Sequence, residues 1–106
     1  MFSDKNNFPE DKLDEEKLNA IRNYLISEFP GYTVNDRYNS DRVVQTFRLA
    51  FKDKTHLVDV LRTFIDDSSV SEISNVLERS HLSKYSRRED ISRIIVTNSG
   101  IKLEKK

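Results

Sequence analysis

Residues 43–65, VVQTFRLAFKDKTHLVDVLRTFI, are the stretch on which the fold turns. This is the densest apolar run of the chain, and two readings compete for its second half. Leu57, Val60, Leu61 and Phe64 recur at helical spacing, whereas Thr55, Val58, Val60, Thr63 and Ile65 are the β-branched side chains that suit a pleated strand. Pairing decides between them. A hairpin closing between Lys52 and Thr55 sets Leu49 opposite Val58, Phe47 opposite Val60 and Val43 opposite Phe64 on one face. On the other it sets Arg48 opposite Asp59, Ala50 opposite Leu57 and Thr46 opposite Leu61. Each matched pair is worth only about 0.2–1 kcal/mol, but all of them follow from one register. The stretch reads as a β-hairpin with two distinct faces.

Upstream, Tyr32, Val34 and Tyr38 alternate with Thr33, Asn35 and Arg37, the period-two pattern of a strand. Residues 39–42, NSDR, carry Asn, Ser and Asp side chains that bond the local backbone in turns. With those four residues as the loop, Tyr38 faces Val43, Val34 faces Phe47 and Tyr32 faces Leu49. Before the strand, Leu18, Ile21, Leu25 and Phe29 form one helical stripe starting near Lys12. Asp11 or Asp14 serves as its cap, Glu15 and Glu16 suit the positive end of its dipole, and Pro30 and Gly31 stop it. Residues 1–10 lack periodicity and read as a loose terminus.

Downstream, Ser69, Val70, Ser71 and Glu72 spell a capping box, which predicts a helix over residues 70–81 burying Val70, Ile73, Val76 and Leu77. A second box-like run, Ser86 to Glu89, precedes Ile91, Ile94 and Ile95 and allows a short third helix. Ile94, Ile95, Val96 and Thr97 also read as a strand, followed by a turn at Asn98, Ser99 and Gly100 and by Ile101 to Glu104. The strand or small hairpin is preferred, with Lys105 and Lys106 frayed. The whole is one α+β domain over residues 11–104. It has two layers, an antiparallel three-stranded meander packed against helices, in the order α-β-β-β-α with a C-terminal β, or short α/β, appendage.

The 106 residues suit a single core, lean because 34% of them are charged. With no Cys, disulfides, thiolate metal sites and a Cys nucleophile are excluded. The acidic start has no basic flank and apolar core of a signal peptide, and there is no run of 18 apolar residues, so a soluble cytoplasmic protein is expected. Formal net charge is zero, yet residues 1–30 carry net −3 and residues 68–106 net +3. A zero total gives little long-range pull toward nucleic acid or anionic lipid, so such binding needs a local patch.

Chemistry is sparse. His56 and His81 are the only imidazoles, without the spacing of a zinc site, and Gly31 and Gly100 are isolated, so no phosphate-cradling loop exists. Asp66 and Asp67, with Asp36 and Asp59, are the one carboxylate group to weigh, and they read more simply as residues at the end of a strand and ahead of a helix. No catalytic residue, metal site or cofactor is implied, and an enzyme is not expected. Two binding readings remain. If the helices cover the face bearing Val43, Phe47, Leu49, Val58, Val60 and Phe64, the opposite face shows Val44, Ala50, Leu57 and Leu61 amid Thr46, Arg48, Asp59 and Thr63. That is more apolar than a free surface requires. Either the C-terminal segment, with Ile94, Ile95, Ile101 and Leu103, folds over it, or it is a protein interface centred on Val44, Arg48, Leu57 and Leu61, with a second copy of the chain as one candidate partner.

The other reading is a phosphate-backbone site. The α-β-β-β-α order over residues 11–81 resembles that of double-stranded RNA-binding domains, which read duplex shape and phosphates. In that family a basic cluster opens the second helix, where this chain has Ser69, Val70, Ser71 and Glu72. The basic residues that do cluster are Arg79, Lys84, Arg87, Arg88 and Arg93, with Tyr85 interleaved.

Overall fold

The computed structural model describes residues 13–106. Helix α1 (Glu15–Glu28) leads into strands β1 (Thr33–Asn39), β2 (Val44–Phe51) and β3 (Lys54–Leu61). Helices α2 (Arg62–Asp67) and α3 (Val70–Ser80) and a 3₁₀ segment (Leu82–Arg87) follow, then β4 (Ile91–Thr97) and β5 (Gly100–Lys105). The five strands form one sheet in sequence order. Every neighbouring pair is antiparallel except β3 and β4, which run parallel. The α+β class is as expected. The expected loose terminus, and Asp11 as a possible cap, lie outside the described residues.

Local chemistry explains the elements. Asp14 caps α1, its carboxylate accepting from the backbone N–H of Glu16 at 2.9 Å and of Lys17 at 3.3 Å. Leu18, Ile21, Leu25 and Phe29 are all buried, the stripe that the sequence marked. At the start of α3 the capping box closes both ways: Glu72 N–H donates to Ser69 Oγ at 3.1 Å, and Ser69 N–H to Glu72 Oε1 at 2.8 Å. Ile73 and Leu77 are fully buried, while Val70, placed on the same stripe by periodicity, is exposed. His81, left-handed at φ 50°, ends the helix.

Both hairpins slip by two residues from the expected register. Phe47 faces Val58 and Leu49 faces His56, around a turn at Lys52 and Asp53, with Lys52 left-handed at φ 55°. Asp36 faces Phe47 and Asn39 faces Val44. A two-residue slip keeps every side chain on its face, so alternation alone cannot distinguish the registers; the turn does. In the first hairpin Asn39 both pairs with Val44 and accepts from the N–H groups of Asp41 and Arg42 at 3.0 and 3.2 Å. The turn therefore falls on residues 40–43. Val43, expected in the core opposite Phe64, sits instead in that turn at φ 57°, 46% exposed.

The strand reading of residues 56–65 holds to Leu61 and fails beyond it. Phe64 and Ile65 are adjacent and both buried, which one face of a strand cannot accommodate and a helix wedged under the sheet can. Lys17 Nζ donates to the carbonyls of Ile65 and Asp66 at 3.0 and 3.4 Å, satisfying the end of α2. The C-terminal hairpin neither hangs off the domain nor covers the outer face. It extends the sheet edge, with Val58 beside Ile94 and Val60 beside Val96, and turns at Asn98 and Ser99 so that Thr97 pairs with Gly100. Lys105, expected to fray, pairs with Ile91. The core joins α1, α2 and α3 to one face of the sheet through Phe47, Leu49, Val58, Val60, Ile94 and Val96. No helix among the described residues is long and apolar enough to cross a membrane.

Candidate functional site: the open face of the sheet

Alternation along five strands puts Thr33, Asn35 and Arg37 of β1 beside Thr46, Arg48 and Ala50 of β2 on the face away from the helices. Leu57, Asp59 and Leu61 of β3, Arg93 and Ile95 of β4, and Lys102 and Glu104 of β5 continue it. The helices pack on the opposite side. Leu57, Leu61 and Ile95 remain only half-buried, whereas Val44, at the end of this face, is 2% exposed and not accessible to a partner.

The slip in register decides the charges. Arg48, expected across from Asp59, pairs with Leu57 instead, and Asp59 faces Thr46. The Asp59 side chain is fully buried and accepts from Thr46 Oγ1 at 2.7 Å. Arg93 Nη1 donates to both its oxygens at 2.9 Å. Arg42 Nη2 lies 3.5 Å from the same carboxylate, and Glu104 lies 3.7 Å from Arg42 and 3.5 Å from Arg93. This half of the face is a closed ion-pair network. In the other half, Arg37 and Arg48 have no hydrogen-bond or ion-pair partner among the described residues. They flank a cleft of about 350 Å³ lined also by Asn35, Asp36, Thr46 and Leu57. The Asp36 carboxylate itself points to the helical side, where Arg22 grips it at 2.8 and 2.9 Å and Gln45 donates at 2.6 Å. That pairing with Arg22 holds its carboxyl below the usual carboxylate range.

The basic residues that cluster in sequence do not converge. Arg93 belongs to the open face, bound to Asp59, and Arg88 pairs with Asp90 at 2.9 Å. Lys84 lies 5.1 Å above the Tyr85 ring, which itself packs against the core. Arg79 lines a groove of about 740 Å³ with Phe64, Asp67 and Asn98, and Arg87 is exposed on the 3₁₀ segment. The element order of double-stranded RNA-binding domains is broken by α2 and by the hairpin docked on β3.

The carboxylates weighed as a cluster are likewise dispersed. Asp66 pairs with Arg62, Asp67 accepts from Asn98, and no group of three potential metal ligands occurs among the described residues. His56 stands on the covered face against Phe29 and Tyr32, its Nε2 buried without a hydrogen-bond partner. Burial, with the charges of Lys54 and Lys106 behind it, lowers its pKa. A groove of about 710 Å³ between α1 and α3 carries Glu16, Glu28, Glu78 and His81, so this groove is acidic where the cleft beside Arg37 and Arg48 is basic.

Arg37 and Ile95 are among the residues of this face that the sequence left out of the site, with Thr33, Asn35, Lys102 and Glu104. Their signal was parity: Arg37 alternates away from Tyr38, and Ile95 between the buried Ile94 and Val96. Comparison of the chain with protein-family models, with curated proteins and with solved structures found no match.

Proposed function

We propose that this chain is a small, non-enzymatic, cytoplasmic binding module that acts through protein contacts made by the open face of its sheet. The observation that carries the reading is a five-stranded sheet that, among the described residues, is clad by helices on one side only, and whose other side keeps Leu57, Leu61 and Ile95 half-exposed beside two arginines with no partner among those residues. A face of this mixed character has the composition of a protein interface, with apolar centre and Arg-rich rim. Val44 is no part of it; Arg48, Leu57 and Leu61 are. The absence of Cys suits a reducing compartment.

The phosphate-backbone reading has weaker support. Two of its five cations, Arg88 and Arg93, are engaged by Asp90 and Asp59. Leu57→Glu tests the leading reading, because Leu57 lies on the face and not among the fully buried side chains. The variant should keep the far-ultraviolet circular dichroism of the native chain and lose the partner recovered by affinity purification from the native source. Equal recovery with a folded Leu57→Glu variant would overturn the proposal. Light scattering shows whether a second copy is that partner.

A further inference from the structure

The charges of the open face specify its occupant. Five cations, Arg37, Arg42, Arg48, Arg93 and Lys102, stand on or beside it against two carboxylates, Asp59 and Glu104. Both carboxylates are already shared between Arg42 and Arg93. The surplus of three therefore falls on Arg37 and Arg48 together at the β1–β2 end and on Lys102 alone at the far edge. Two copies stacked through this face would oppose like surpluses, which disfavours a symmetric homodimer there. A nucleic acid would meet the guanidinium groups, yet the face holds no aromatic side chain among the described residues. Single-stranded bases on an open sheet draw much of their binding from stacking on aromatic rings. What the face does offer beside the two arginines is the cleft of about 350 Å³ over Leu57, walled by Thr46 and Asn35.

We infer that the open face binds an acidic segment of a partner protein, a carboxylate seated between Arg37 and Arg48 and a neighbouring apolar side chain in the cleft over Leu57. This rests on the proposed function and narrows it to a chemical class. Guanidinium groups match carboxylates in fork geometry, and an apolar floor beside them supplies desolvated contact. Thr46 does not compete for the carboxylate, since its hydroxyl already donates to Asp59.

The probe is a random linear peptide library panned against the full chain, followed by titration of the enriched peptides by fluorescence anisotropy. Enriched sequences should combine Asp or Glu with Leu, Ile, Val or Phe. Their affinity should fall about tenfold or more in Arg37→Glu and in Arg48→Glu, and be unchanged in Glu78→Gln on the helical side. Both arginines are exposed and have no partner among the described residues, so the reversals should leave the fold intact, which a thermal melt verifies. Enriched peptides without acids that still lose binding in Leu57→Glu would overturn this inference and leave the protein-contact reading standing. Peptides indifferent to Leu57→Glu and to both reversals, or a library with no binder, would overturn both. So would a short RNA duplex bound more tightly than any peptide and released by Arg48→Glu. A dimer dispersed by Leu57→Glu would overturn the acidic-partner inference alone.

Discussion

Asp36 and Asp59 lie on opposite faces of one sheet, and they show how differently the two faces are finished. Under the helices, Asp36 is tied to α1 by Arg22, which also holds Glu15 at 2.6 Å, so the ion pair staples two layers together. On the bare face, Asp59 is tied to Thr46 and Arg93 within the sheet, and its network links β2, β3, β4 and β5 without any second layer. The first carboxylate stabilises stacking of helix on sheet. The second makes a solvent-facing surface rigid and nearly neutral over one half, leaving the other half positive. One half of the face has its charges matched internally, whereas Arg37 and Arg48 in the other have no ion-pair partner among the described residues.

The largest break in this contrast is Phe47→Ala. Phe47 is fully buried beneath the helices, and truncation should cost about 3–5 kcal/mol, measured by urea unfolding. Arg48→Ala, one residue along the same strand, should stay within about 0.5 kcal/mol of the native chain because it turns to the open face. Comparable costs for the two would mean that the faces are not distinct.

Asp59→Ala comes next. It leaves Arg93 and Arg42 beside a lost charge, and partial exposure of those arginines limits the cost to about 2–3 kcal/mol. Asp36→Ala should cost less, about 1–2 kcal/mol, since Arg22 keeps Glu15 and Asn19 as partners. A reversed order in denaturant titrations would show that the layer staple matters more than the in-sheet network.

Val43→Gly should stabilise the chain by about 1 kcal/mol, because a β-branched residue at φ 57° is strained and its exposed side chain loses little burial. Unchanged or lowered stability would place no strain in that turn.

The smallest effect is the pH response of His56, whose pKa is lowered in the folded chain. The unfolded chain then takes up its proton first as pH drops below 6.5, so stability present above that value is lost on acidification toward the folded-state pKa. In His56→Leu, unfolding curves at neutral and mildly acidic pH should lie closer together than those of the native chain.

Much of this architecture was legible in the residues, and what was missed has a physical cause. Capping at Asp14 and Ser69 and the α1 stripe are local effects written into neighbouring side chains, and the structure realises them. Face assignment on β1, β2 and β3 was also legible, because period-two alternation survives a slip of two residues. Register was not, since it depends on where Asn39 and Lys52 place their turns, and with register went the partner of Arg48. The neutralisation of Asp59 depends on Arg93, distant along the chain and brought alongside only by a parallel strand pairing. Half of the candidate site, Leu57, Leu61 and Arg48, could be named in advance; its charge balance could not.

That parallel pairing has a consequence for folding. The meander of β1, β2 and β3 closes through short local turns, whereas β4 reaches Val58 and Val60 only after α2, α3 and the 3₁₀ segment have been laid down. Closing the longer loop carries the larger entropic cost and comes late. Until it closes, β3 is a bare edge strand with apolar side chains and unpaired backbone groups, the kind of template on which nascent chains pair with one another. Refolding yield should therefore fall with protein concentration, and the β4–β5 hairpin, which docks on that edge, should protect the chain from its own aggregation once paired.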